Sequence, residues 1–206
     1  MFTLVLDNRE LKLIELLKGV ELNNFKFVIK PLKIGDILIL NSNIDFDIDV
    51  CSDEQLYSSV ITIFERKTCQ DLLASISDGR YREQKTRLLA NFKLDQICYI
   101  IENEISPSLN KYSKNGRQIV IVALINKCFR DGIKIIKTGS LNETVEFLLT
   151  ICKKVCSNIE FFLPKEPAGI EPYSSNIKIN KKENVTPTVF SVLSLTIITG
   201  ISYKIS

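Results

Sequence analysis

Residues 60–81 carry the sequence VITIFERKTCQDLLASISDGRY, in which the residue type changes sharply along the chain. Residues 60–64 are β-branched or aromatic, a pattern that predicts a buried strand. The charged triplet at residues 65–67 follows at once, before a helix predicted from about residue 69 to residue 76. Asp78-Gly79 then predicts a break in that helix. Charged side chains are therefore expected where a core strand passes into a helix.

Strands and helices alternate on both sides of this segment. Apolar runs predict further strands at residues 3–6, 25–32, 37–40, 97–101 and 133–137, and helical spacing predicts helices beginning near residues 11, 80, 119 and 141. The polar stretch 41–58 is predicted to be a loop or a ragged hairpin, and the stretch 107–116 a loop. Asp7-Asn8 is expected to cap the first helix. The alternation through residues 1–160 predicts an α/β sandwich around a central sheet.

The composition of the chain limits the chemistry that it can perform. Its 206 residues fit one folded domain with a small appendage, and the net charge of +3 is only a weak indication of a polyanionic partner. The absence of histidine from the sequence excludes a Ser-His-Asp triad, a Cys-His pair and zinc held by histidine. None of the six cysteines forms a C-x-x-C pair. Catalysis is thus expected to use carboxylates, Lys, Tyr, Cys or a metal held by oxygen.

Neither end of this sequence is expected to direct the chain into a membrane. Residues 1–7 do not resemble a signal peptide, and the uncharged stretch 186–203 contains too many polar residues, with Pro187 and Gly200, to be predicted to span a bilayer. The thiols are expected to be reduced, in an intracellular protein. Prolines and polar residues predict a linker at 161–186, after which residues 187–206 are expected to begin a second, truncated unit.

Gly35-Asp36, Glu65, Lys67 and Asp71 form the candidate chemical site. Asp36 precedes one predicted strand and Glu65 follows another, and adjacent strands lie about 4.8 Å apart, so their carboxylates are expected to share a divalent cation. Lys67 is two residues beyond Glu65 and faces the same side of an extended segment, while Asp71 lies one turn into the next helix. This set suits phosphodiester hydrolysis assisted by a hard cation. The alternative is a solvated charge cluster at a strand end.

The longer sequence around this site resembles a known family. Residues 65–81, with Glu83-Gln84-Lys85 and Arg87-Leu88 beyond them, resemble the signature of the XPF-type structure-specific endonucleases, which is G-D, a gap, and E-R-K-x-x-x-D continued by a D-L-x-x-S-I-x-D-G-R-Y-like run. Asp7-Asn8-Arg9-Glu10 resembles the family's opening D-x-R-E. The resemblance covers residues 1 to about 157, although the gap between the G-D and E-R-K motifs is longer than expected for the family.

The resemblance implies a restriction-endonuclease-like fold, a three-layer α/β sandwich with a central mixed sheet, as a nuclease domain at residues 1–160. It also implies Mg²⁺ or Mn²⁺ as cofactor and cleavage of branched DNA, such as flaps, forks and junctions, in repair or recombination. Lys67 is implied to position the water or the phosphate. The implied metal ligands are Asp36, Glu65 and Asp7, and the remaining catalytic or supporting residues are Glu10, Arg66 and Asp71.

A basic segment follows the predicted break after residue 79. The basic residues predicted to contact DNA phosphates are the upstream Arg9 and the helical Arg80, Arg82, Lys85 and Arg87. The alternatives for the helical members are a solvated helix face and the dimer surface that the family has near this region. Glu102 ends a strand and resembles a recurrent acidic residue of the family, but it stays outside the predicted catalytic set.

The tail at residues 187–206 resembles the first half of a helix-hairpin-helix element, which presents backbone N–H groups to a phosphate. The resemblance further implies a homodimer or a heterodimer acting on double-stranded and single-stranded DNA.

The nucleus is the expected location of the protein, or the site of viral DNA replication if its Ile-, Lys- and Asn-rich composition marks a large DNA virus. Two other functions stay open, a non-catalytic DNA-binding or dimer-scaffold subunit and a hydrolase of another phosphodiester.

Overall fold

The computed structural model describes residues 2–20, 25–41 and 47–163, which form six strands and six α-helices. The strands are β1 (Phe2–Asp7), β2 (Phe25–Lys30), β3 (Ile37–Leu40), β4 (Val60–Thr68), β5 (Ile97–Glu102) and β6 (Lys134–Thr138). The helices are α1 (Leu11–Lys18), α2 (Asp53–Ser58), α3 (Cys69–Ser77), α4 (Arg80–Asn91), α5 (Gly116–Ile125) and α6 (Leu141–Ser157). Single 3₁₀ turns occur at Leu94–Gln96, Pro107–Lys111 and Ile159–Phe161, and a π-helical turn follows α5 at Asn126–Arg130.

The strands form one mixed sheet in the order β2-β1-β3-β4-β5-β6. β3 runs antiparallel to both of its neighbours, β1 and β4, whereas the other adjacent pairs are parallel. β3 therefore begins beside the middle of β4, near the centre of the sheet. Ile37 pairs with Phe64 there, so the residue before β3 and the residue after Phe64 are neighbours.

Helices cover both faces of the sheet, each over its own apolar cluster. On one face, Leu13 and Leu17 of α1 and Leu148 of α6 pack with Phe64 of β4. On the other face, residues from α3, α4 and α5 pack against β4 and β5, among them Leu72, Leu88, Val120, Ile63 and Ile101. Burial of each such side chain stabilises the fold by about 1.5–3 kcal/mol before entropy is counted. The predicted three-layer sandwich with a central mixed sheet is confirmed.

The end of β4 lies further along the chain than its apolar run suggests. The strand continues through the charged triplet to Thr68, because Glu65 to Thr68 pair in register with β5. Thr68 is then the N-cap of α3, and its side chain accepts a hydrogen bond from Asp71 N. The charged residues are thus held by sheet hydrogen bonds.

Three local predictions are wrong. The stretch 41–58, predicted to be a loop or a ragged hairpin, contains α2, which begins with a reciprocal capping box between Ser52 and Gln55. Helix α1 has Glu10 as its N-cap, because Asp7, expected as part of the cap, ends β1. The predicted loop 107–116 contains a 3₁₀ turn, and α5 begins at Gly116, earlier than expected.

Parts of the sequence-based predictions lie outside the described residues. These are the linker from residue 164 onward, the tail at 187–206, and residues 42–46 of the predicted loop. Within the part of the chain that the structure describes, no helix has the length and apolar character needed to cross a bilayer.

Candidate active site

Asp36 is held at the centre of the sheet by its backbone. Its N–H donates to Phe64 O at 2.9 Å, and its carbonyl accepts from Asp7 N at 2.8 Å, so it links β4 to β1. Gly35 before it has φ +77°, and a Cβ at this position would lie 2.6 Å from the Ile63 side chain. Only glycine meets both constraints without strain. The G-D pair therefore makes the turn that directs Asp36 to the end of β4.

The carboxylates of Asp36 and Glu65 face the same polar cleft. The cleft measures about 100 Å³, and its other lining residues include Arg9, Lys33, Gln84 and Arg87. Asp36 Oδ2 accepts a 2.8 Å hydrogen bond from Arg66 N. Burial and the negative charge of Glu65 raise the pKa of Asp36 to about 8, although the Arg66 hydrogen bond opposes this change. Two adjacent carboxylates whose ionised forms repel each other are suited to binding a cation.

Lys67 places an ammonium group against this acidic pair. Its Nζ lies 3.1 Å from Glu65 Oε1, and both side chains are at most a tenth exposed. The two residues share a face of β4 because side chains alternate along a strand. An opposite charge at this distance, in a site with little water, restrains both groups. The structure thus brings together three of the predicted catalytic residues, Asp36, Glu65 and Lys67.

Asp7 is fully buried and its carboxylate is saturated with hydrogen bonds. Oδ1 accepts from Arg9 N and Nε at 2.8 and 2.6 Å, and Oδ2 accepts from Arg9 Nη2 and Leu32 N at 2.9 and 2.8 Å. Burial raises the pKa of Asp7, but these hydrogen bonds outweigh that effect and lower it below its ordinary value. In this structure Asp7 therefore anchors Arg9 at the rim of the cleft, and metal ligation by Asp7 stays a prediction.

Arg66 projects from the opposite face of β4 and bridges two acidic residues. Its Nε donates to Glu10 Oε2 at 2.6 Å, and its Nη1 donates to Glu102 Oε2 at 2.7 Å. Glu102, at the end of β5, is 3% exposed and also accepts a hydrogen bond from Thr144 of α6. Glu102 is not in the predicted catalytic set, although its place at a strand end beside β4 is a usable signal. Nothing in the sequence singled out Thr144.

Asp71 bonds with Thr68, the N-cap residue of α3, and does not line the cleft. Its Oδ2 accepts a 2.7 Å hydrogen bond from the Thr68 hydroxyl, and its own N–H donates to that hydroxyl oxygen at 3.0 Å. The side chain is exposed on the first turn of α3. Such a cap typically contributes about 1 kcal/mol to a helix. Its position fixes the point at which the chain leaves β4 after Lys67.

The predicted DNA-binding residues of α4 differ in their partners. Arg80 pairs with Asp78 at 2.6 Å, and the half-buried Lys85 pairs with Asp131 at 2.7 Å. Arg82 is exposed, has no acidic partner among the described residues, and lines a groove of about 680 Å³ beside α5. Arg82 is thus the member of this group whose charge is most available to a phosphate. Arg87, one of the predicted phosphate contacts, lines the cleft, and so does Lys33, which the sequence pattern does not single out.

Comparisons with known proteins agree with this architecture. A family model described as the ERCC4 domain matches residues 6–151. The chain is 28% identical over 163 residues to the probable crossover junction endonuclease mus81 of Dictyostelium discoideum, covering 71% of this chain and 17% of that protein. It is 31% identical over 149 residues to the ERCC4 domain-containing protein EP364R of African swine fever virus (isolate Tick/Malawi/Lil 20-1/1983), covering 67% of this chain and 35% of that protein. The chain thus spans only a minor part of either relative.

A solved structure shares the fold. XPF from Aeropyrum pernix, in a complex with DNA, superposes with a TM-score of 0.54 at 18% identity, covering 95% of this chain and 82% of that chain. The predicted XPF-type identity and the predicted fold class are both confirmed. Because the family match spans more than half of its residues, this chain belongs to the ERCC4 domain family.

Proposed function

We propose that this chain carries the active centre of a metal-dependent, structure-specific endonuclease that hydrolyses phosphodiester bonds in branched DNA during repair or recombination. The observation that carries the proposal is that Asp36 and Glu65 line one polar cleft and Lys67 lies 3.1 Å from Glu65, within a domain of the ERCC4 family. The enzyme would act in the nucleus or, for a virus, where viral DNA is replicated.

The residues of the cleft fit a hard divalent cation. Asp36 and Glu65 offer carboxylate oxygens, and Gln84 adds an amide oxygen, Oε1, which is buried and has no hydrogen-bond partner within the described residues. Within residues 2–20, 25–41 and 47–163, no cluster of three Asp, Glu, His or Cys side chains could hold a metal ion. A third protein ligand would therefore have to be a group such as this amide oxygen. An all-oxygen set with room for water suits Mg²⁺ or Mn²⁺.

When bound, Mg²⁺ would polarise the scissile phosphate and lower the pKa of a water molecule. Side chains of the protein would stabilise the transition state and align the DNA. Lys67 would neutralise negative charge that builds on the phosphate oxygens, and Glu65 orients Lys67 for this role. Arg9, Lys33 and Arg87 around the cleft would attract and align the DNA backbone.

Cation affinity is expected to rise with pH. The pKa of Asp36 is raised to about 8 by burial and by Glu65, so at lower pH a cation must displace a proton to bind. Mn²⁺ affinity should increase by about tenfold per pH unit between pH 6 and 7.5 and level off near pH 8. Calorimetric titration of the chain with Mn²⁺ across this range measures the effect. An affinity that does not change with pH would contradict the raised pKa of Asp36.

Cleavage of defined DNA substrates tests the proposed function directly. Fork and flap duplexes are incubated with Mg²⁺ and either the wild-type chain or Glu65→Gln, which keeps the shape of the side chain and removes its charge. Glu54→Gln, at an exposed position of α2, serves as the matched control. Cleavage by wild type and by the control, with a loss of at least about 100-fold in Glu65→Gln, supports the proposal. Equal cleavage by all three proteins overturns it, and DNA binding without cleavage by wild type favours a scaffold subunit.

The basic residues of α4 are expected to divide into two groups. Arg82→Ala should weaken binding to all DNA sequences and reduce the slope of log affinity against log salt by about 1, because an exposed guanidinium contributes one phosphate contact. Lys85→Ala should mainly destabilise the fold, because it leaves the half-buried Asp131 without Lys85, although Arg130 still contacts that carboxylate. Fluorescence anisotropy at several salt concentrations, with thermal melts of both variants, separates these effects.

We also propose that the domain pairs with a second ERCC4 domain, either identical or different. Val122, Ile125 and Phe129 form a row of exposed apolar side chains on α5 and the π-helical turn, and Phe129 is 87% exposed. Such a row is typical of a protein-binding face. Sedimentation of wild type and Phe129→Ser at rising concentration tests this, with self-association or partner binding expected to weaken in the variant.

A further inference from the structure

A chain of buried hydrogen bonds links helix α6 to the side of the sheet opposite the cleft. The hydroxyls of Thr138 and Thr144 lie 2.8 Å apart, and Thr144 Oγ1 donates to Glu102 Oε1 at 2.7 Å. Thr144 is 0% exposed and Glu102 is 3% exposed. A hydroxyl has one proton to donate, and an ionised carboxylate is its strongest available acceptor. Thr144 therefore fixes the orientation of the Glu102 carboxylate.

The second carboxylate oxygen of Glu102 extends this series of hydrogen bonds to Arg66 in the neighbouring strand β4. Glu102 Oε2 accepts from Arg66 Nη1 at 2.7 Å, while Glu10 holds Arg66 Nε at 2.6 Å. With two of its nitrogens fixed, the guanidinium has little rotamer freedom. The backbone N–H of Arg66 donates to Asp36 Oδ2 at 2.8 Å on the cleft side. The orientation of Asp36 thus depends on how firmly β4 is held at Arg66.

We propose that Thr144 and Glu102 are positioning residues for Asp36: through Arg66 they fix the amide that orients the cleft carboxylate. Neither residue lines the cleft, so neither touches the cation or the DNA there. This inference rests on the proposed function, because it concerns the same centre. Hydrogen-bonded groups behind a metal ligand typically change metal affinity or activity by 10- to 100-fold when they are removed.

Two substitutions of Thr144 separate a positioning role from a packing role. Thr144→Val keeps the shape and loses the hydroxyl, whereas Thr144→Ser keeps the hydroxyl and loses a methyl group. Thr150→Val, at an exposed position of the same helix, is the matched control. The readouts are Mn²⁺ affinity by calorimetry, with the metal ion alone as ligand, and kcat on fork DNA, both measured well below the melting temperature. Affinity and kcat are each expected to fall about tenfold in Thr144→Val and to return to within about twofold of wild type in Thr144→Ser.

The outcomes distinguish this inference from the proposed function. If wild type binds Mn²⁺ and cuts DNA while a folded Thr144→Val does the same, the positioning role is wrong and the proposed function stands. If Thr144→Ser loses as much as Thr144→Val, the methyl group matters and the inference is also overturned. If wild type neither binds Mn²⁺ nor cuts, the proposed function fails. Should Thr144→Val not fold, Glu102→Gln replaces it, and a wild-type affinity in that variant overturns the inference.

Discussion

Asp36→Asn is expected to abolish DNA cleavage while making the metal-free protein more stable. The substitution removes one of the two charged oxygen donors from the cleft, so Mg²⁺ and Mn²⁺ binding should be lost and kcat should fall by at least about 1000-fold. The Asn side-chain oxygen can still accept the hydrogen bond from Arg66 N. The turn at Gly35 and the backbone bonds of residue 36 are unaffected, so the fold is retained.

The expected gain in stability follows from the direction of the pKa change. The folded protein holds the Asp36 proton up to about pH 8, against an ordinary value of 3.8. The contribution of this proton to the free energy of unfolding has its full value below about pH 4, and it is lost as the pH rises through about 8. At pH 8 about half of the metal-free wild-type molecules therefore carry two repelling carboxylates in the cleft, and Asn removes this repulsion, which should raise the free energy of unfolding by about 1–3 kcal/mol.

Denaturant unfolding at pH 8 measures both parts of this prediction. In EDTA, Asp36→Asn should be more stable than wild type, and added Mg²⁺ should stabilise wild type without affecting the variant. Cleavage of fork DNA is followed in parallel. A variant that is less stable than wild type in EDTA would show that Asp36 is bound into the fold by favourable contacts, and the account of strain at the cleft would be wrong.

Lys67→Met is expected to separate cleavage from cation binding. Met keeps the unbranched apolar stem, so packing beside α3 should survive, but the ammonium group beside Glu65 is lost. Cleavage should fall by about 100- to 10,000-fold, because the phosphate then reacts without the positive charge of Lys67. Mn²⁺ should bind at least as tightly as to wild type, because a positive charge that competes for Glu65 has been removed.

The contrast between the two variants is the informative result. Mn²⁺ titrations, DNA-binding assays and single-turnover cleavage are compared for wild type, Lys67→Met and the exposed control Lys12→Met. Loss of Mn²⁺ binding in Lys67→Met would mean that Lys67 supports the shape of the cation site. Unchanged cleavage would remove Lys67 from the chemistry altogether.

The centre of the fold could be predicted from the sequence because its signals are local. The apolar run before Glu65 defines β4, Gly35 marks the turn before β3, and alternation along β4 places Glu65 and Lys67 on one face. The pairing of β3 beside β4 then brings Asp36 to them. Short-range pattern and the period of two along a strand are sufficient for this inference.

Several of the parts that could not be predicted depend on partners distant in the chain, and others depend on local hydrogen bonds that a residue pattern does not reveal. Lys85 and Asp131 are 46 positions apart, and Glu102 and Thr144 are 42 positions apart, so their pairing appears only in the folded chain. Asp7 illustrates the same limit, because its carboxylate is saturated by Arg9 and Leu32, which an acidic motif does not reveal. Helix α2 was missed because its polar sequence, stabilised by a capping box, resembles a loop.

Arg66 in the sheet is linked through Glu102 to Thr144 in helix α6, and this link limits how far the domain can be shortened. A fragment that ends before Leu141 keeps every residue of the 65–81 signature, yet it lacks the helix that supplies Thr144 to Glu102. It also exposes the apolar surface of β4 and β5 that α6 covers. A shortened form that keeps the proposed site intact must therefore extend through Ser157, so the motif that identifies the family is shorter than the folded unit that holds its residues in place.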